Sequence, residues 1–336
     1  MGVPVKPPAS SFRLQRREFL LLAAGTTIPW NPGFAAATIP RIGVIGPGSG
    51  AASRSSLDTL RDGLRALGWV DGGNLVILDR WAEEHAERLP GIAKELIGAA
   101  VDVLVTAGTL ATLAATSATA TIPIVMVGVG DPVALGIVES LTHPLGNATG
   151  LALSSVELTA QRLRLLQELL PGLHRVAVII RNDPGLEQNL LDIRNLAEGM
   201  GLEVVELEAN TGRDLAFAFT WLRNDHWDAI YVASGPLGPA KRAEIIALAE
   251  DARLPVIYSF GQFSLAGGLM SFATNDTDLF RRAATFVDRI LKGANPAELP
   301  VEPPTRFELI INLRAARALK MTVPPSLLAR ADQIIQ

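Results

Sequence analysis

Three groups of residues in this chain have types and spacings that could carry chemistry. The first is Gly46-x-Gly48-x-x-Ala51, which follows one apolar run, with Asp79 at the end of the next. Glycines so placed let a backbone approach a pyrophosphate at a helix start, and the acid would take a ribose hydroxyl, which is dinucleotide chemistry. Asp79, however, lies 31 residues beyond Gly48 rather than about 20, and Pro47 and Ser49 suit a turn equally well.

The second group is the set a hydrolase or metal enzyme would need. There is no Gly-x-Ser-x-Gly elbow and no Ser-x-x-Lys. The chain has no cysteine, so thiol nucleophiles, iron–sulfur clusters, cysteine-ligated zinc and disulfides are excluded together. His85, His143, His174 and His226 lack the i, i+4 spacing of a helical metal pair. Glu83-Glu84 and Asp276 with Asp278 read as solvated helix starts rather than an acid/base pair. No catalytic residue, metal or cofactor is expected.

The third group is a series of glycines and short polar residues just beyond apolar runs: Gly48 and Ser49; Thr106, Gly108 and Thr109; Asp131; Asn182 with Glu187; Ser234 and Gly235; and Ser259. Such residues suit hydrogen bonding to a small solute, with Asp131 placed to meet an ammonium and the Thr106–Thr109 turn a carboxylate. Each has a plainer alternative as a helix cap or turn former. Phe260, Tyr258 and Trp81 are candidates for an apolar wall, and equally for the core.

The elements that would position them follow one rhythm. Arg41–Gly46, Leu75–Arg80, Val101–Thr106 and Ile124–Val129 read as strands, separated by helical patterns near Ser55–Leu67, Ala86–Ala99 and Ala111–Ala118. Their near-continuous apolar character implies parallel strands buried on both faces. After the glycine-rich Gly146–Gly150, read as a crossover, the rhythm restarts with a helix near Val156–Leu170 and strands at Arg175–Arg181, Glu203–Leu207, Ala229–Ala233 and Pro255–Ser259. A strand at Gly268–Ala273, an amphipathic helix over Asp276–Leu291, a linker over Asn295–Pro304, a strand at Phe307–Asn312 and two short helices complete the chain. In parallel α/β sheets, ligands bind beyond the carboxyl ends of the strands, where the third group lies.

The expected fold class is α/β: two doubly wound lobes with parallel sheets joined by a multi-strand hinge. Residues 38–150 with about 275–293 form the N-terminal lobe, 151–274 with about 297–312 the C-terminal lobe, and 313–336 the C-terminal helices. Residues 1–37 read as a cleavable twin-arginine signal peptide: Arg16-Arg17-Glu18-Phe19-Leu20, a short apolar run to Ile28, then Ala35-Ala36-Ala37. The expected location is therefore periplasmic. A chain of 336 residues, 49% hydrophobic and with a net charge of −4, can bury a core in each lobe and carries no basic footprint for nucleic acid.

With these elements in place, Val129-Gly130-Asp131-Pro132-Val133, Pro144-Leu145-Gly146-Asn147-Ala148-Thr149-Gly150, Gly267-Gly268-Leu269-Met270-Ser271 and the run from Pro324-Pro325-Ser326 to Asp332 resemble the ABC transporter substrate-binding family with the type I periplasmic binding fold. The segments Ile290-Leu291-Lys292-Gly293-Ala294, Pro303-Thr305-Phe307-Glu308 and Ile311-Asn312-Leu313 add to the resemblance. One departure is Leu145, where family members often carry glycine. The resemblance implies a two-lobed receptor, joined by three crossovers, that closes over a small polar ligand, an amino acid or related metabolite, and delivers it to an ABC permease in the inner membrane; a monomer is expected. Two other readings are an exported NAD(P)-dependent oxidoreductase and a sensory ligand-binding module.

Overall fold

The computed structural model describes Gly2 and residues 39–153, 155–180, 186–233 and 239–336; the side chains of 155, 186–189 and 239–240 lie outside the description. From Ile39 onward the chain alternates strand and helix: β1 (Arg41–Gly46), α1 (Arg54–Ala66), β2 (Val76–Trp81), α2 (Leu89–Gly98), β3 (Val103–Ala107), α3 (Gly108–Ala118), β4 (Ile124–Val129) and β5 (Ala148–Ala152). These strands make one parallel sheet in the order β2-β1-β3-β4-β5. The apolar runs in β1, β3 and β4 are buried because helices cover both faces of the sheet.

The second half adds α4 (Ser155–Leu169), β6 (Arg175–Ile180), α5 (Leu186–Gly199), β7 (Glu203–Glu208), α6 (Gly212–Asn224), β8 (Ala229–Val232), α7 (Pro239–Ala252), β9 (Val256–Tyr258), α8 (Gly261–Leu265) and β10 (Met270–Thr274). Then come α9 (Asp276–Leu291), β11 (Phe307–Asn312), α10 (Leu313–Ala318), α11 (Pro325–Arg330) and β12 (Gln333–Ile335). The second sheet runs β12-β11-β10-β9-β8-β6-β7, with β10 and β11 antiparallel. Thr211 and Asp214 start α6 as a capping box, each side chain receiving the other's backbone N–H; the Thr211 side chain and the backbone N–H groups of Thr211 and Asn210 hold the Asp214 carboxyl below the usual range.

The helix over Asp276–Leu291 does not stay with the strand that precedes it. α9 packs on α1 and on β3, β4 and β5 of the first sheet, and its Leu279, Ala283, Phe286, Val287 and Ile290 share a core with Leu57, Leu60 and Leu64 of α1. Gly63 makes this possible, since a Cβ there would lie 2.8 Å from the Ala284 Cβ. Leu299 and Val301 also bury in first-sheet cores before the chain returns to β11. The chain thus passes between the sheets near 153–155, 274–276 and 302–306. α10 and α11 bury Ala315, Ala316 and Leu327 against the second sheet.

Two elements differ from expectation. The glycine-rich segment read as a crossover continues into β5, an edge strand whose Gly150 lies against the Met126 backbone of β4. Leu145, just before it, takes a left-handed φ of 59°, the conformation a glycine adopts without strain. The last residues, expected as helix, include β12, which pairs with β11.

One tie across the first lobe gives a pH prediction. Trp69 Nε1 donates to Asp288 Oδ1 of α9 at 2.9 Å, and Lys292 Nζ lies 2.7 Å from the same oxygen. Burial pushes the Asp288 carboxyl up, but the hydrogen bonds from Lys292 and Trp69 and the Lys292 charge outweigh it and hold it below the usual range. The stabilising contribution is therefore present above the unfolded-state value of about 4 and lost as pH falls through the folded value. Asp288→Asn should cost about 1 kcal/mol by urea denaturation from pH 5 to 7, with the gap to wild type narrowing below about pH 4. A gap that widens on acidification would refute this assignment.

Candidate functional site

The carboxyl ends of β1, β2, β3 and β4 face those of β9 and β10 across a cleft of about 500 Å³. Its first-lobe wall begins with the loop after β1. Ser53 N donates to Ser49 O at 3.0 Å and Ala52 N to Ser49 Oγ at 3.2 Å, so this loop is a wound turn leading into α1. The chain beyond β2 is stitched to it: Ala82 N donates to Gly46 O (2.9 Å), Glu83 N to Gly48 O (3.0 Å), Glu84 N to Pro47 O (2.9 Å), and Gly50 N to Glu83 Oε1 (3.0 Å). Glu83 and Glu84 take φ of 54° and 65°, consecutive left-handed residues that are not glycine. Such backbone costs of order 1 kcal/mol or more per residue and persists where surrounding structure enforces it.

Trp81 lines the cleft with its indole packed against Gly46 and Gly50 and its Nε1 donating to Asp79 Oδ2 at 2.9 Å. A Cβ at Gly46 would lie 2.4 Å from that ring, so this glycine creates the seat for the tryptophan. Asp79, the candidate ribose acid, is thereby engaged with Trp81 and lies 3.9 Å from Arg61. Gly108, at the start of α3 with φ of 80°, also lines the cleft.

The other candidates are distributed as follows. Thr106 is fully buried and donates its hydroxyl to Thr112 Oγ1 at 2.7 Å, which itself donates to Gly108 O at 2.9 Å. Thr109 Oγ1 accepts from Gly130 N at 3.3 Å. Asp131 is exposed, and its Oδ1 accepts from Val133 N and Ala134 N, both at 3.0 Å. Ser259 is buried, donating to the Tyr231 hydroxyl at 3.4 Å. Asn182, Ser234 and Gly235 lie outside the described residues, as does the side chain of Glu187. Of the named candidates described, Gly48 and Gly108 lie in the cleft wall, while Ser49 and Asp131 bond within their own loops, Thr106 bonds to Thr112 of α3, Thr109 to the loop after β4 and Ser259 to Tyr231 of β8. Short polar side chains at strand ends reach nearby backbone N–H groups first.

The second-lobe wall rests on a buried polar cluster. Arg162, 3% exposed, donates Nε to Phe272 O at 2.7 Å and Nη1 to the Tyr231 hydroxyl at 3.1 Å. Burial raises the Tyr231 phenol, but the Arg162 charge and the hydrogen bonds from Ser259, Thr159 and Arg162 bring it below its ordinary value. The cluster fixes the end of β9, beyond which Phe260 and Gln262 face the cleft. Tyr258, by contrast, is core, stacked on Phe263 with ring centroids 4.6 Å apart.

The wall also carries four ionic side chains: Glu84 and Asp276, read from the sequence as solvated helix starts, and Arg242 and Glu308, which the sequence did not single out as site residues. Gln262 Nε2 donates to Asp276 Oδ2 at 3.1 Å, and Asn275 both caps α9 and donates to Glu308. Burial pushes the Asp276 carboxyl up, the Gln262 bond opposes this, and the Glu308 charge adds to it. Glu84 is raised by burial and by Glu83, against the charge of Arg242. Asp276 opens α9, as a helix start should, but burial desolvates it; Glu84 stays exposed and sits in a turn rather than at a helix start. Among the described residues no group of three or more His, Cys, Asp or Glu could hold a metal, and no helix is long and apolar enough to cross a membrane.

With this geometry in hand, the relatives are informative. A tyrosine-binding protein of Clostridioides difficile is 28% identical over 272 residues, covering 79% of this chain and 78% of that protein. A solved conserved domain protein from Vibrio cholerae superposes with a TM-score of 0.82 at 29% identity, covering 88% of this chain and 99% of that one. A Streptococcus pneumoniae ABC domain solved in complex with L-Trp gives a TM-score of 0.82 at 24% identity over 88% of this chain and 99% of that one, which supports the shared fold. The sequence model described as ABC transporter substrate binding protein matches residues 41–335, nearly the whole described chain. Two parallel-sheet lobes, a cleft between their strand ends and that match lead to one conclusion: the chain belongs to the ABC transporter substrate-binding protein family.

Proposed function

We propose that this chain is the exported receptor of an ABC importer and that its cleft takes an α-amino acid, with an aromatic side chain preferred. The observation that carries the reading is the make-up of the cleft wall, which combines carboxylates, a guanidinium, helix N-termini and the rings of Trp81 and Phe260 in about 500 Å³. A zwitterion needs both signs of charge, and a ring needs apolar faces. The name of the Clostridioides difficile relative points the same way. Export through the signal peptide read in residues 1–37 would place the monomer in the periplasm, where the closed form meets its permease. Binding alone suffices: the ligand bridges the lobes and stabilises closure.

At micromolar affinity tyrosine would need about 8 kcal/mol, roughly 0.6 kcal/mol per non-hydrogen atom, which an enclosed site can supply. Residues 38–336 should show a melting-temperature rise of several degrees with an aromatic amino acid at a hundredfold excess over Kd, where linkage adds about 2.7 kcal/mol. No response to any of the twenty amino acids, with a response to a sugar, a nucleoside or NAD, would overturn the reading.

A further inference from the structure

Glu84 and Arg242 both line the cleft, the first from the first lobe and the second from the opening turn of α7 in the second lobe. Their charges are opposite, and the charge of Arg242 acts on Glu84. Yet among the described residues neither is joined to the other or to any other side chain by an ion pair. The Glu84 carboxylate is carried on a left-handed backbone whose N–H is fixed to Pro47 O, so its position is set by the loop. The Arg242 guanidinium lies 5.9 Å from the centroid of the Phe263 ring, a contact that orients it without neutralising it.

We propose that Glu84 and Arg242 form a two-ended clamp for a zwitterion, Glu84 receiving the α-ammonium and Arg242 the α-carboxylate of the bound amino acid. This rests on the amino-acid reading above and adds which residues enforce it. The two charges of an α-amino acid are a few bonds apart and of opposite sign, so one ligand answers both unpaired groups at once. Closure over a neutral solute would take both charges from water with no opposite charge on the ligand to answer them, which penalises it. The clamp also explains why Asp131, engaged with the N–H groups of Val133 and Ala134, is not needed for the ammonium.

The test is calorimetric titration of wild type, Glu84→Gln and Arg242→Gln with L-tyrosine, tyramine and 3-(4-hydroxyphenyl)propanoate, with melting temperatures checked to match. Glu84→Gln should weaken tyrosine and tyramine by about 10- to 100-fold and leave the propanoate unchanged; Arg242→Gln should weaken tyrosine and the propanoate by a similar factor and leave tyramine unchanged. If each variant weakens all three probes equally, the pair is an interlobe latch and the clamp is wrong, although the amino-acid reading stands. Unchanged affinities in both variants overturn the clamp in the same way. If wild type binds none of the three, the same titration uses the amino acid that raises its melting temperature together with its decarboxylated and deaminated analogues, and a wild type that binds none of the twenty amino acids overturns both.

Discussion

Gly150→Ala should be the most damaging small substitution in the first lobe, with an expected loss of about 3–5 kcal/mol. Gly150 has a φ of 128°, and a Cβ there would lie 2.2 Å from the carbonyl oxygen and 2.7 Å from the nitrogen of Met126. Both atoms are backbone within β4, so no side chain can move aside. The residue also accepts from Glu302 N at 2.9 Å, tying the first passage between lobes to the third. Alanine must either leave its φ or push β5 off the sheet, and both break that link. Against a total stability of about 5–15 kcal/mol this is a large fraction, measurable by urea denaturation. A loss under about 1 kcal/mol would mean that β5 shifts freely and that its pairing does not secure the lobe.

Gly63→Leu should cost about 2–4 kcal/mol by a different route. A Cβ at this position lies 2.8 Å from the Ala284 Cβ and 3.3 Å from Arg281 O, so α1 and α9 touch along nearly bare backbone. A leucine improves intrinsic helix propensity by somewhat under 1 kcal/mol, far less than the cost of prising the two helices apart. Because α9 begins at the cleft with Asp276, the displacement should weaken ligand binding as well as lower the melting temperature. Calorimetric melting of the variant with and without ligand would check both, and an unchanged melting temperature would mean the helix pair has slack that its geometry does not show.

Much of the architecture was legible because its strands are buried on both faces. β1, β3, β4, β6 and β8 are short apolar runs with little alternation, and between them α1 and α9 repeat apolar residues at helical spacing. β5 was not legible, since Ala148-Thr149-Gly150 offers no side-chain pattern and pairs through a glycine pressed on backbone. β12 is three residues long, too short to carry a period. At the cleft, the rule that loops follow strand ends located Gly48, Gly108, Trp81 and Phe260 in the wall. It could not sort the polar residues on those loops, because a hydroxyl or carboxylate that caps its own turn, as in Ser49 or Asp131, looks the same in sequence as one facing a ligand. Nor could it bring Glu84, Arg242 and Asp276 into one wall, because they come from segments far apart in sequence that meet only at the cleft.

The return of α9 to the first lobe dictates an order of assembly. Trp69 and Asp288, joined in that lobe, are 219 residues apart in sequence. As the chain emerges from a ribosome, β1 to β5 appear early but lack one of the two helices, α1 and α9, that share the core on one face of their sheet. The second lobe, by contrast, has most of its strands before α9 is made. The second lobe is thus the natural first folding unit, and the first lobe waits, with apolar surface open to chaperones, for a non-local contact that only the nearly finished chain can make.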